Sequence, residues 1–260
     1  MARLSANLGF LWPDRPLLDR IAAARAAGFG AVELHWPYEV DPAAVAAACF
    51  DAKVTLVSLN TPTGREGEFG LAALPGREAD FRASFTQALD YAVASGTGAI
   101  HVLAGLVEDR AQSTATFVSN LRRAADDAAQ VGKSLLIEPM NGIDRPGYYL
   151  DSVECAADIV ATAGAPNLRI MFDVYHIERG QGGALERLEE YLPLVGHVQI
   201  ASVPDRHEPD EGVFDCRALF ELLERKAYAG RVGCEYRPRS DTDEGLVWIE
   251  RCGLVAMRAR

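Results

Sequence analysis

Short apolar runs of strand length alternate along this chain with longer stretches whose apolar residues recur at helical spacing. The strand candidates are residues 4–10, 31–35, 54–59, 99–103, 135–138, 169–173, 197–200 and 231–235. The helical stretches between and after them are residues 17–27, 42–51, 77–94, 114–130, 151–163, 185–192, 216–226 and 244–257, with Asp151 placed as an N-cap. Strict strand-helix alternation predicts parallel βαβ units, and eight such units in 260 residues match one (β/α)8 TIM barrel spanning residues 1–260. A doubly wound sheet is the competing α/β arrangement, but no GxGxxG follows the first strand.

The ends of four strands carry the chemistry. Leu135-Leu136-Ile137 halts at Glu138-Pro139, and a proline cannot donate to a continuing ladder, so Glu138 is expected at the strand tip. The later strands bring Asp173, Gln199 and Glu235 to equivalent places. In a barrel these strands are consecutive, and the C-terminal mouth is where active sites form, so the four side chains are expected to converge. Three carboxylates that close repel one another unless they take up protons or surround a cation. All four offer oxygen, with no thiolate and no paired histidine, a donor set suited to Mg2+ or Mn2+ rather than Zn2+. Cys234 falls on the opposite face of its strand.

The remaining polar candidates are less determined. His101 ends the fourth strand and is expected to touch substrate; His176, three residues past Asp173, is either a substrate contact or a helix cap. His197 shares a face with Gln199 and is expected to pack inside the barrel. Arg206, in the loop after the Gln199 strand, is the first choice among the loop arginines should a substrate carry a carboxylate, because a guanidinium offers the fork that a carboxylate accepts; Arg145 and Arg237 come next. Residues 60–76, rich in Gly, Pro and Thr, form a connection long enough to be a lid or binding loop.

Composition removes several classes of function. The formal net charge is −11, with three lysines among the 26 basic residues, which argues against a nucleic-acid partner. No apolar run approaches the ~18 residues of a membrane span, and Met1-Ala2-Arg3-Leu4 lacks the order of a signal peptide, so a cytoplasmic location without a membrane partner is expected. The five cysteines are scattered without a CxxC pair and are expected to be unpaired thiols. Assembly into a homo-oligomer stays open.

Ile137-Glu138-Pro139-Met140-Asn141, Phe172-Asp173-Val174-Tyr175-His176, Gly196-His197-Val198-Gln199-Ile200-Ala201 and Gly233-Cys234-Glu235-Tyr236-Arg237-Pro238 together resemble the hydroxypyruvate isomerase family. That family includes the 2-oxo-tetronate isomerases and belongs to the xylose-isomerase-like barrels. The likeness extends through Ser5-Ala6-Asn7-Leu8 and Leu74-Pro75-Gly76-Arg77-Glu78. It implies Glu138 and Glu235 as the proton donor and acceptor pair, and Glu138, Asp173, Gln199 and Glu235 as ligands of a divalent metal. It also implies a small 2-oxo or hydroxy acid as substrate. The chain departs from the family in lacking a tryptophan in the loop after the third strand and in having Val213 where a glutamate is usual.

The reaction expected is interconversion of hydroxypyruvate and tartronate semialdehyde, or a related 2-oxo-tetronate isomerisation, through an enediolate. A ketose 3-epimerase using the same glutamates on a neutral sugar is the alternative. An abasic-site endonuclease would need histidine-rich metal ligands and a basic face, and a non-catalytic binding relative would not need both glutamates.

Overall fold

The structure is a computed structural model that describes residues 3–254. Its nine strands are β1 (Arg3–Asn7), β2 (Ala31–Glu33), β3 (Thr55–Leu56), β4 (Ser58–Asn60), β5 (Ala99–His101), β6 (Ser134–Ile137), β7 (Leu168–Asp173), β8 (Val195–Ile200) and β9 (Arg231–Cys234). Every pairing is parallel, in the order β3-β2-β1-β9-β8-β7-β6-β5-β4. The third expected strand is interrupted at Val57, so that β3 pairs with β2 while β4 pairs with β5. Beyond β2 the backbone closes the ring: Leu34 N donates to Ser58 O at 2.9 Å and Asn60 N to His35 O at 2.9 Å. Nine labelled strands thus make the eight-fold (β/α)8 barrel expected from the alternation.

Ten helices surround it: α1 (Leu17–Ala26), α2 (Pro42–Ala52), α3 (Glu78–Ser95), α4 (Arg110–Gln130), α5 (Val153–Ala163), α6 (Val174–Gly180), α7 (Ala184–Tyr191), α8 (Cys216–Arg225), α9 (Thr242–Gly245) and α10 (Trp248–Arg251). Ile21, Val45, Phe81, Phe85, Leu121, Ile159, Leu219 and Trp248 are buried on their inward faces. Because helices cover the strands, buried apolar side chains on the strands alternate only weakly with polar ones. Among the described residues no helix is long and apolar enough to cross a membrane.

Several local expectations are corrected. Helix α4 starts a turn earlier than its apolar spacing suggests, since Asp109 Oδ1 accepts from the backbone of Ala111 and Gln112. Ser152, not Asp151, caps α5, its Oγ accepting from Cys155 N at 3.2 Å, while Asp151 pairs with Arg110 at 2.8 Å. Helix α6, over residues that no expected element covers, begins directly at the strand tip, because Asp173 Oδ1 accepts from Tyr175 N at 2.9 Å and caps a new turn. The closing helix is two short ones, and residues 255–257 lie outside the described residues. Cys216 and Cys252 are bonded to each other, whereas Cys49, Cys155 and Cys234 are free. Their 36-residue separation conceals the packing of α8 beside the end of α10.

The connection 60–76 is anchored along its length. Gly70 bridges antiparallel to Ala104, Ala73 N donates to Ala104 O at 2.7 Å, and Leu106 N donates to Glu68 O at 3.0 Å. Gly70 has φ +117°, and a Cβ there would collide with the Leu103 carbonyl, so only glycine lets the loop lie this close. Glu68 accepts from Arg65 N at 2.6 Å and is paired with Arg77.

Candidate active site

At the C-terminal mouth lies a pocket of about 500 Å3 whose lining includes Glu138, Glu235, His101, His176, Arg206 and Arg145. The strand register puts Asp173 opposite Gln199 and Gln199 opposite Gly233, so the tips of β7, β8 and β9 are neighbours. Glu138, Asp173, Gln199 and Glu235 are all buried, none more than 7% exposed.

Arg206 enters this cluster from the loop after β8. Its Nη2 lies 3.1 Å from Asp173 Oδ2 and 3.0 Å from Glu235 Oε2, joining the two carboxylates. The backbone at Arg206 is left-handed, with φ 58°, and is pinned by Arg206 N to Ser202 O at 3.0 Å and Arg237 N to Arg206 O at 2.8 Å. Arg206 is therefore in the centre, where the sequence placed it only near a substrate's carboxylate. Its Nε is buried without a hydrogen-bond partner among the described residues.

Each glutamate has a histidine beside it, but only His35 is within hydrogen-bond distance. His35 Nε2 is 2.9 Å from Glu235 Oε1, and His101 Nε2 is 3.6 Å from Glu138 Oε2. Burial lowers the His101 pKa to about 4, so its ring is neutral near pH 7. The carboxylates divide as their surroundings dictate. Burial, then Glu235 and Asp173, push Glu138 well above the usual carboxylate range. Asp173 is pushed up to about 7 by burial against the opposing pull of Arg206. Burial acts on Glu235 in the same sense, but Arg206 and His35 outweigh it and bring its pKa down to about 2.

One ligand atom from each of Glu138, Asp173 and His176 lies within 4.8 Å of the others, a buried group able to hold a metal ion. Imidazole tautomerism limits the part His176 can take. Its Nδ1 accepts from Asn141 N at 3.2 Å, and burial followed by Arg206 lowers its pKa to about 3, so the neutral ring carries its proton on Nε2. Asp173 Oδ2 lies 3.8 Å from that nitrogen, beyond hydrogen-bond distance. Ligation through Nε2 would cost the Asn141 hydrogen bond, so the oxygen donors suit a hard cation better. Glu138 Oε1 and Gln199 Oε1 are buried oxygens without hydrogen-bond partners, as free ligand atoms would be.

Gln199 is oriented from below by Glu33, a residue that sequence reading passed over. Gln199 Nε2 donates to Glu33 Oε2 at 2.8 Å, Ser5 Oγ donates to Glu33 Oε1 at 2.5 Å, and His197 Nε2 lies 3.0 Å from Glu33 Oε1. His197 does pack inside the barrel. Gly233 makes room for this group: a Cβ there would collide with Glu33 Oε1 and sit 2.9 Å from Gln199 Cγ. The parity of β2 could have exposed both Glu33 and His35, since residues two apart share a strand face.

A family model described as xylose isomerase-like TIM barrel matches residues 21–252. The chain belongs to the xylose isomerase-like TIM barrel family. It is 44% identical over 96% of its length to a 2-oxo-tetronate isomerase of Cupriavidus necator, covering 98% of that protein. It is 45% identical over 95% of its length to a putative hydroxypyruvate isomerase of Homo sapiens, covering 94% of that protein. Among solved structures, a protein described as AP endonuclease, family 2, from Brucella melitensis superposes with a TM-score of 0.94 at 40% identity, covering 96% of this chain and 99% of that one. Full-length likeness to named isomerases makes this xylose isomerase-like protein an enzyme of the isomerase class.

Proposed function

We propose that this isomerase interconverts hydroxypyruvate and tartronate semialdehyde, or catalyses the related 2-oxo-tetronate isomerisation, by proton transfer between Glu138 and Glu235. The observation that carries the reading is that both glutamates line one pocket at the barrel mouth, each with a histidine beside it. One glutamate takes a proton from the hydroxyl-bearing carbon and the other returns a proton to the neighbouring carbonyl carbon, while the hydroxyl proton passes to the former carbonyl oxygen, so that the hydroxyl becomes the new carbonyl. The intermediate is an enediolate, and the two residues exchange roles in the reverse direction.

Glu138, Asp173, Gln199 and Glu235 would hold a divalent ion, Mg2+ or Mn2+, and the buried, unpartnered oxygens of Glu138 and Gln199 support that set. When bound, such an ion supplies Lewis-acid stabilisation of negative oxygen. His176 presents its Nε2–H to substrate oxygen, and Arg206 offers its free Nε at the reacting end. His101 lies beside Glu138 and contacts the substrate from the β5 side. Burial of the whole group excludes water and strengthens each of these contacts.

The test combines a substrate screen with isotope exchange. Hydroxypyruvate, 2-oxo-tetronates and free ketoses are compared as substrates, and the preferred one is turned over in D2O. Deuterium in the product, with Glu138→Gln and Glu235→Gln each folded but slowed by roughly 10²-fold or more, is the expected result. Quantitative retention of the substrate's own hydrogen would overturn the enediolate route in favour of a hydride shift. Preference for neutral ketoses would replace the acid isomerase with the 3-epimerase.

A further inference from the structure

An acid substrate brings one more negative charge to a pocket already crowded with carboxylates. Arg206 is committed there, its Nη2 shared by Asp173 and Glu235. The pocket lining contains two other arginines. Arg237 is exposed, and its Cζ stands 5.8 Å from the Phe10 ring. Arg145 is half-buried and differs from both: its Cζ lies 3.6 Å above the centre of the Phe69 ring, and none of the ion pairs among the described residues includes it.

The neighbouring carboxylate does not satisfy it. Asp144 accepts from Tyr175 Oη at 2.5 Å and from Asn141 Nδ2 at 3.1 Å, and it pairs with Arg179 at 3.3 Å. Arg145 is itself held by its backbone, whose N–H donates to Asn141 O at 3.0 Å. A guanidinium so close to an aromatic face lies flat on it, which leaves the in-plane N–H fork free for a planar anion.

The platform beneath Arg145 is also fixed. Phe69 lies between Trp36 and Tyr148, with ring centres 6.3 and 6.1 Å away, and has a left-handed backbone, φ 47°. The next residue is Gly70, whose close approach to Leu103 and Ala104 anchors the loop 60–76. The loop's placement of Phe69 thus sets the plane of Arg145 at the pocket wall. Arg145 lines the same pocket as Glu138, Glu235 and His176, so its guanidinium and the glutamates face one cavity.

We infer that Arg145, stacked on Phe69, is the anchor for the substrate's carboxylate, and that the 60–76 loop exists in this form to hold that pair. The inference rests on the acid-isomerase reading above. It assigns Arg206 to the reacting end of the substrate and Arg145 to the ionised end. The fork of Arg145 would take a carboxylate of a 2-oxo or hydroxy acid in two parallel N–H···O bonds.

The test compares hydroxypyruvate with dihydroxyacetone, which replaces the carboxylate by a neutral hydroxymethyl group, in wild type, Arg145→Ala, Arg145→Lys and Phe69→Leu. Arg145→Ala should lower kcat/KM for hydroxypyruvate by about 10- to 150-fold, chiefly through KM, and affect dihydroxyacetone far less. Arg145→Lys should recover only part of the loss, because an ammonium lacks the fork. Phe69→Leu should reproduce a smaller share of the same selective loss. If wild type prefers the acid but Arg145→Ala changes both substrates equally, or neither, the carboxylate anchor lies elsewhere and the isomerase reading stands. If wild type itself prefers the neutral ketose, that reading fails and the anchor with it. Circular dichroism of each variant establishes that the comparison is made on folded protein.

Discussion

Gln199 presents its amide nitrogen to Glu33 across 2.8 Å of barrel interior, and this fixes which end of the amide is free. With the nitrogen engaged, Oε1 is the atom left without a partner. Glu33→Gln keeps the volume but removes the charge, and its amide can offer Gln199 an N–H where an acceptor is needed. Titration of the metal-free protein with Mn2+ should show binding weakened by roughly 10- to 100-fold, as for other groups that orient a ligand. An unchanged Kd in a folded variant would mean that Glu33 only fills space.

Removing divalent ions should expose the repulsion among Glu138, Asp173 and Glu235. After chelation, turnover is expected to fall to background and Tm to drop, with Mg2+ or Mn2+ restoring both. Full activity in protein shown by elemental analysis to be metal-free would sink the ligand assignment.

Arg206 supplies the positive charge that Asp173 and Glu235 share in the absence of an ion. Arg206→Ala leaves those carboxylates buried without it, at a cost on the order of 3–5 kcal/mol in chelated protein. Added Mg2+ should recover more Tm in this variant than in wild type. Turnover should fall for acid and neutral substrates together, since the lost contact is at the reacting end. Identical melting of variant and wild type in chelator would show that the pairing contributes nothing.

The loop that carries Phe69 has its own pH response. Glu68 is held below the usual carboxylate range first by its hydrogen bond with Arg77, assisted by Arg65 N. A lowered folded-state pKa stabilises above the unfolded value, about 4.3, and that stabilisation is lost as pH falls through the folded value. Glu68→Gln should therefore lower Tm at pH 7, and the difference from wild type should shrink as pH falls below the unfolded value, about 4.3. A difference independent of pH would assign the effect to packing.

Much of this architecture was legible because strand and helix periodicities differ, and because a carboxylate before a proline marks where a strand must stop. Glu138 follows from that logic, and Asp173 and Glu235 from the short apolar runs that each carries a carboxylate at its end. Helix α6 was hidden since Val174-Tyr175-His176-Ile177 favours a strand locally, and one side-chain cap from Asp173 decides otherwise. The break at Val57 was hidden for a different reason: Leu56, Val57 and Leu59 read as one short strand, and only the closing of the ring divides their hydrogen bonds between two neighbours. The roles of Glu33 and Arg145 depend on contacts with residues 166 positions away, in Gln199, and in a separate loop, at Phe69. No spacing rule within a single element reports contacts of that kind.

Gly233 limits how far this centre could be re-engineered. Its lack of a side chain is the space in which the stem of Gln199 and the head of Glu33 meet. Exchanging Gln199 for histidine, the obvious route to a softer ion, would ask an imidazole ring to fit a hollow shaped for a slim amide. A change of metal preference would therefore have to begin on β2, by shortening Glu33, before any new ligand is introduced on β8.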